Sequence, residues 1–249
     1  GFKGSWLSLW CILSGAKVIG ISNSLTSIPS HFREMGLQTK MKSIKMDIKN
    51  LKPLTKIFKR YQPDFIFHLA AQSLVKKSFD KPYETFMSNT IGTMNVLESL
   101  KVIKKRCHAV IITSDKSYRN LEIQRGYKEN DLIGGDDPYS GSKGAAELII
   151  KSYFKSFISL KKNMSLNIAR AGNVIGGGDW SRDRVIPDCV KSWSKNKSVQ
   201  IRNPNSTRPW QHVLDVVRGY LQSAILCKKY KKRLNGEAFN FGPNLNQNK

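Results

Sequence analysis

The chain has 249 residues and sets 42 Lys and Arg against 18 Asp and Glu, a formal net charge of +24. That length can bury one sizeable core, or a main domain with a smaller lobe. No apolar run approaches the roughly 20 residues of a membrane helix, which leads to the expectation of a cytoplasmic protein with no membrane partner.

The positive charge is mostly Lys, in short runs at residues 40–45, 101–106 and 228–233 beside apolar segments. No zinc-finger spacing, basic zipper or aromatic RNA-binding signature accompanies it, so the runs read as solvated surface and no nucleic-acid partner is expected. Cys11, Cys107, Cys189 and Cys227 are far apart, as are the four histidines. The thiols therefore read as free, and no metal is expected.

In chain order, Gly1-Phe2-Lys3-Gly4 has the form of the second half of a G-x-x-G-x-x-G turn, which sets a dinucleotide pyrophosphate on a helix N-terminus. A helix is expected from near Ser5 to Ser14, then Gly15 and a strand at residues 17–21. The strand that would precede this turn is central in a doubly wound sheet, so the chain is expected to be a fragment of a longer protein, trimmed at both ends. Further strands are expected at residues 64–69, 109–113 and 166–170, and helices at 51–61, 84–100 and 142–157. Met87, Ile91, Met94 and Leu97 mark an apolar stripe on the second of these helices.

Strands alternating with helices predict an α/β fold, a doubly wound parallel sheet of Rossmann type whose ligands bind at the carboxyl ends of the strands. Those ends carry His68-Leu69-Ala70-Ala71-Gln72, Thr113-Ser114-Asp115-Lys116 and Arg170-Ala171-Gly172-Asn173.

Two motifs there carry chemistry. Tyr139 and Lys143 stand four residues apart, so on a helix the ammonium sits beside the phenol and favours the phenolate, a base able to take a proton from a sugar hydroxyl. Ser114-Asp115-Lys116 adds a second acid/base pair at a strand end. Alone, Asp115-Lys116 would be an ordinary surface turn and Tyr139-x-x-x-Lys143 an ordinary helix pair; their joint occurrence selects the catalytic reading.

With these residues assembled, the chain resembles the CDP-glucose 4,6-dehydratases of the extended short-chain dehydrogenase/reductase superfamily. The resemblance rests on Gly1-Phe2-Lys3-Gly4-Ser5-Trp6, His68-Leu69-Ala70-Ala71-Gln72, Thr113-Ser114-Asp115-Lys116, Asp137-Pro138-Tyr139-Ser140, the stretch from Ala169 to Trp180 with its Gly176-Gly177-Gly178-Asp179-Trp180, and the stretch from Arg202 to Val213 with its Thr207-Arg208-Pro209-Trp210-Gln211-His212. Lys116 separates this group from relatives that carry Glu there.

The resemblance implies a lyase that holds NAD and converts CDP-D-glucose to CDP-4-dehydro-6-deoxy-D-glucose. Sugar carbon 4 is oxidised, water leaves across carbons 5 and 6, and the hydride returns to carbon 6. The product would feed deoxysugar biosynthesis for surface polysaccharide. Tyr139 would be the base for the carbon 4 hydroxyl, Lys143 the ribose and phenolate partner, and Ser114 a hydrogen-bond donor at the carbon 4 oxygen. Asp115 would be the acid for the departing hydroxyl and Lys116 the base for the carbon 5 proton.

Cofactor contacts are implied for Gly1, Phe2, Gly4, Ser24, Asp47, Ile48, Leu69, Ala70, Ala71, Gln72, Asn89, Thr113, Tyr139 and Lys143. Substrate contacts are implied for Asn173, Arg184 and Arg208, the arginines on the diphosphate. One departure concerns the second strand, after which the family tends to place an acid on the adenosine ribose. Ser22-Asn23-Ser24 offers only neutral groups there, which weakens discrimination against NADP.

A Rossmann domain at 1–173 and a substrate lobe at 174–249, interleaved with returns to the main sheet near 212–220 and 238–243, are further expectations. So is a homodimer through helices 84–100 and 142–157. A dehydratase or epimerase of another nucleotide sugar, and a non-catalytic basic nucleotide-binding protein, remain the alternatives.

Overall fold

The computed structural model describes residues 1–25, 27–201 and 204–243. Arg202 and Asn203 of the motif quoted above lie outside the described residues. Every strand pairing is parallel, and the strands alternate with helices in the Rossmann-type order the sequence predicts. The packing separates into two units. The first is Gly1–Lys45 with Asn173–Val217 and Gly242–Lys249, and the second is Met46–Gly172 with Arg218–Phe241.

In the second unit, β3 (Phe65–His68), β4 (Cys107–Ile112), β5 (Met164–Ala171) and β8 (Ala238–Phe241) form one sheet in that order. The central strands β4 and β5 are buried at every residue. That explains the apolar run of β4, broken only by His108, since a parallel strand covered on both faces has no polar side to alternate with. β5 buries Ser165, Asn167 and Arg170 among its apolar residues, each with a hydrogen-bond partner.

The covering helices are α4 (Leu51–Tyr61), α5 (Val75–Asp80), α6 (Pro82–Phe86), α7 (Gly92–Leu100), α8 (Pro138–Tyr153) and the part of α10 (Val213–Lys229) from Arg218 onward. On α10, Tyr220 meets Phe241 of β8 edge-on with ring centroids 5.5 Å apart. His108, fully buried in β4, contacts Ser165 Oγ at 2.8 Å through Nδ1 and Asn167 Oδ1 at 2.7 Å through Nε2. The carbonyl oxygen can only accept, so the ring is the neutral Nε2–H tautomer with both nitrogens satisfied.

Two differences from the sequence reading have physical causes. The helix expected at 84–100 is three segments, α6, a π-helical turn at Met87–Ile91, and α7. Of the expected stripe Leu97 is fully buried but Met87, Ile91 and Met94 are only half-buried, and the buried side chains include Thr85, Asn89 and Thr93. The Lys-rich run at 40–45 contains β2 (Lys42–Lys45), whose residues pair with β1 (Ile19–Ser22) from Ile19↔Lys42 to Ser22↔Lys45.

The first unit holds that pair, a second short ladder of β6 (Val174–Ile175) and β7 (Gln211–His212), and helices α1 (Phe2–Leu13), α2 (His31–Glu34), α3 (Leu37–Lys40) and α9 (Val185–Trp193). Where one sheet is expected, the described strands thus form three separate parallel ladders. Among the described residues no helix is long and apolar enough to cross a membrane.

Candidate active site

The entry to α8 is fixed before the chemistry begins. Asp137 caps the helix, its Oδ1 accepting from the N–H groups of Tyr139 at 2.9 Å and Ser140 at 3.0 Å, and Pro138 supplies a preset φ at the first position. Ser140 Oγ donates to the other carboxylate oxygen at 2.5 Å. Gly135 packs so closely on this turn that a Cβ there would stand 2.5 Å from the Ser140 carbonyl carbon and 2.7 Å from Gly141 N, so only glycine fits. Tyr139 and Lys143 are both buried, 8% and 7% exposed, and with Glu147 they repeat every four residues along one helix face.

Facing α8 at the end of β4, Ser114 caps a single 3₁₀ turn, Asp115–Ser117. Ser114 Oγ accepts from Lys116 N at 3.2 Å and donates to Asp115 Oδ1 at 2.9 Å. Asp115 and Lys116 remain half-buried. The turn packs against α8. Thr113 Oγ1 donates to Glu147 Oε1 at 2.7 Å, and Ser117 Oγ lies 2.9 Å from the same oxygen and 2.6 Å from Ser114 O.

At the end of β3 the polypeptide leaves His68 through Leu69, Ala70 and Ala71, half-exposed residues with short side chains at 70 and 71. Asn89, 1% exposed, then braces the loop: its Oδ1 accepts from Gln72 N at 2.8 Å, and its Nδ2 donates to Gln72 O at 3.0 Å and to Ser142 Oγ at 2.9 Å. It sits in the π-helical turn, whose widened backbone re-aims one side chain. His68 Nε2 pairs with Thr93 Oγ1 at 2.9 Å. Burial above all, and then the charge of Lys143, hold the His68 imidazole down to about 3.

Asp47 Oδ1 accepts from Lys49 N at 2.9 Å, and Asn95 Nδ2 holds Ile48 O and Lys49 O at 3.0 and 2.9 Å. Ile48 rests where Gly92 leaves room, its Cδ1 2.6 Å from the position a Cβ would take. Thus Gln72, Thr113, Ser114, Asp115 and Lys116 at the ends of β3 and β4, Asn89 in the π-helical turn, and Tyr139 and Lys143 on α8 belong to one unit, with Asp47 and Ile48 in a loop of the same unit.

Leu69, Ala70 and Ala71 lie in that unit too, and the remaining candidates, Gly1, Phe2, Gly4, Ser24, Asn173, Arg184 and Arg208, lie in the first unit. The helix α1 begins at Phe2 rather than near Ser5, with Gly1 at its cap, no capping side chain and no acidic residue in its first turn. Trp6 Nε1 donates to Gly177 O at 2.9 Å, and Trp6 stacks on His31 with centroids 4.2 Å apart. A Cβ on Gly178, whose φ is +85°, would meet His31 Cβ at 2.5 Å. Gly178 therefore serves close packing against α2, a Cβ on Gly176 would stand 2.5 Å from Val213 Cγ1, and Gly177 meets α1 through its carbonyl. Ser24 Oγ donates to Asn23 Oδ1 at 3.1 Å in an exposed loop. Arg184 donates to Asp179 Oδ2 at 2.8 Å, exposed Arg208 donates to its neighbour Thr207 O at 2.8 Å, and Asn173 O accepts from Gln211 N at 3.0 Å.

Sequence reasoning did not single out Glu147, the fully buried partner of Arg170 at 2.5 Å. Its signal was available as the third member of the Tyr139, Lys143, Glu147 spacing, with a charge on a face that also bears Tyr and Lys.

Residues 1–237 match the family model described as GDP-mannose 4,6 dehydratase. The chain is 44% identical over 248 residues to the CDP-glucose 4,6-dehydratase of Salmonella typhimurium, covering 98% of this chain and 68% of that one. Among solved structures, Pal from Bacillus thuringiensis aligns with a TM-score of 0.83 at 26% identity over 97% of this chain and 75% of its own. A UDP-glucuronic acid 4-epimerase from Bacillus cereus, solved with UDP-glucuronic acid and NAD, aligns with a TM-score of 0.81 at 24% identity over 98% and 75%, a likeness of fold alone. The family match runs through β3, β4 and α8, the elements that build the site, as well as through the strands that merely support it, and on that ground the chain belongs to the GDP-mannose 4,6 dehydratase family.

Proposed function

We propose that the protein is a lyase dehydrating CDP-D-glucose to CDP-4-dehydro-6-deoxy-D-glucose with NAD retained through the cycle. The observation that carries the reading is the Ser114-Asp115-Lys116 turn packed on the helix of Tyr139 and Lys143, in a chain 44% identical to a Salmonella enzyme of that name. The nucleotide sugar is common to the relatives; the cytidine base rests on that identity.

The residues fit a dinucleotide. The start of α1 leaves its first N–H groups without side-chain caps or acidic neighbours, the arrangement that accepts a pyrophosphate. Gly1, Phe2 and Gly4 would hold it, Ser24 the adenosine ribose, Asp47 and Ile48 the adenine, and Leu69, Ala70, Ala71, Gln72 and Thr113 the nicotinamide half, with Asn89 bracing them. When bound, NAD supplies the two-electron oxidation at sugar carbon 4 and the matching reduction at carbon 6.

Tyr139 takes the proton of the carbon 4 hydroxyl, assisted by the Lys143 charge. Ser114 donates to the carbon 4 oxygen. Oxidation there makes carbon 4 a ketone and acidifies the carbon 5 proton, which Lys116 removes as Asp115 protonates the departing carbon 6 hydroxyl. Water is the leaving molecule, and the overall change is redox-neutral. Asn173, Arg184 and Arg208 are assigned to the substrate, the guanidinium groups matching diphosphate oxygens.

Residues 1–173 would form the nucleotide-binding domain and 174–249 the substrate lobe. A homodimer through α6, α7 and α8 is part of the proposal. Exposed Tyr83, Phe86, Leu148 and Phe157 on and beside those helices support it as an apolar surface in want of cover.

Incubation with CDP-glucose and NAD tests the function. The expected product shows the alkali-dependent ultraviolet absorbance of a 4-keto sugar. Turnover of another nucleotide sugar alone would move the substrate assignment, and no product with any nucleotide sugar would favour a binding module.

A further inference from the structure

The turn that carries Ser114, Asp115 and Lys116 is short and polar. Its backbone is held by one 3₁₀ turn and, at its flanks, by Thr113 N on Ala169 O and Gly134 N on Ser117 O, both at 2.9 Å, which leaves the half-buried Asp115 and Lys116 without a backbone partner outside the turn among the described residues. Its two flanks, however, converge on one atom. Thr113, just before it, donates to Glu147 Oε1 at 2.7 Å, and Ser117, its last residue, shares its one hydroxyl proton between Ser114 O at 2.6 Å and the same Glu147 oxygen at 2.9 Å.

Glu147 is 0% exposed and stands one turn beyond Lys143 on the face that bears Tyr139. Its carboxylate is itself held in the fork of Arg170, Nε to Oε1 at 2.8 Å and Nη2 to Oε2 at 2.5 Å. Arg170 Nη1 further donates to Tyr118 Oη at 2.6 Å and to Glu129 O at 2.8 Å, which ties down the chain leaving the turn. Tyr118 Oη passes its own proton to Asn240 Oδ1 at 2.7 Å.

From this geometry we infer that Glu147, locked by Arg170, is a positioning residue that sets the Ser114-Asp115-Lys116 turn in register with Tyr139 and Lys143. The inference rests on the proposed function for its chemistry, because it assigns oxidation to α8 and elimination to the turn. A buried ion pair adds little net stability against an apolar replacement of the same shape, so stability alone is a weak reason for its presence. A bidentate carboxylate between two hydroxyls does fix geometry, since each bond is directional and both flanks of the turn share one acceptor. A displacement near 1 Å of groups that move protons costs about 100-fold in rate.

Oxidation and elimination respond differently to such a displacement. Loosening the turn leaves Tyr139 and Lys143 on their capped helix but moves Asp115 and Lys116, so elimination slows more than oxidation. Reduced cofactor then accumulates during turnover.

The test uses Thr113→Val with Ser117→Ala, which removes both tethers and leaves the Glu147–Arg170 pair intact, alongside Glu147→Gln. Wild type and variants are compared for kcat, KM for CDP-glucose, bound cofactor, reduced-nicotinamide absorbance at steady state, and backbone amide exchange at residues 114–118 without added ligands. The inference expects kcat per bound cofactor to fall about 100-fold at unchanged KM for CDP-glucose, with reduced nicotinamide accumulating as a fraction of the cofactor bound. Exchange at 114–118 should quicken about tenfold while β4 and β5 stay protected.

Loss of melting temperature with unchanged exchange at 114–118 and no accumulation of reduced nicotinamide would overturn it, because a purely structural role predicts that pattern. If wild type makes no 4-keto product, the proposed function fails, and the exchange measurement alone decides the positioning. If Glu147→Gln does not fold, the double variant decides.

Discussion

Ser114 Oγ donates its proton to Asp115 Oδ1 across 2.9 Å while accepting from Lys116 N, so the three residues of the turn are hydrogen-bonded to one another. A hydroxyl has one proton, and donating it to the carbon 4 oxygen of a sugar means withdrawing it from Asp115. Under the proposed function the serine would therefore link the oxidation site to the acid of the elimination. Ser114→Ala should lower kcat by about 10- to 100-fold with a small change in KM. Steady-state kinetics check this, and a variant raised in KM alone would assign Ser114 to ground-state binding.

Asn89 holds three hydrogen bonds between the loop after β3 and the first turns of α8. Asn89→Ala removes the partners of the half-buried Gln72 N and O, while Ser142 Oγ keeps its bond to Tyr139 O, at a cost of about 1–3 kcal/mol. Urea unfolding should show that loss together with weaker cofactor retention. A variant as stable as wild type would mean that the loop is held elsewhere.

Stability should fall on acidification through His68. Its ordinary value of 6.5 is depressed to about 3 in the folded protein, so above 6.5 the ring is neutral in both states. Below that, the unfolded chain takes up a proton that the native chain refuses, and stability drops by about 1.4 kcal/mol per pH unit until the folded group titrates near 3. His108, lowered mainly by burial, acts in the same direction. Urea unfolding at pH 7 and pH 5 should differ by ~2 kcal/mol more in wild type than in His68→Leu. Equal pH dependence in the two would remove His68 from the explanation.

The legible parts of the chain are those where period and burial agree. β4 is apolar but for His108 because both faces are covered, and its end could be aligned with the chemistry from the sequence alone; the buried Ser165, Asn167 and Arg170 of β5 are polar residues that only tertiary partners satisfy. β2 was hidden because Lys42-Ser43-Ile44-Lys45 reads as a solvated charge run, and its strand character comes from pairing with β1. The π turn around Asn89 is set by tertiary contacts, so an apolar stripe counted at helical spacing selected Met87 and Ile91 when the packed face uses Thr85, Asn89 and Thr93. Glu147 was passed over because acids on helices are ordinarily solvated; only the arrival of Arg170 from β5 makes this one structural.

Division of labour between helix and turn is the core of the mechanism, and Lys116→Met, compared with Tyr139→Phe, tests it most directly. After rapid mixing with CDP-glucose, Lys116→Met should oxidise carbon 4 and accumulate reduced nicotinamide, while 4-keto-6-deoxy product forms about 100-fold more slowly than in wild type. Tyr139→Phe should show neither. Product formation by Lys116→Met at the wild-type rate would contradict the account.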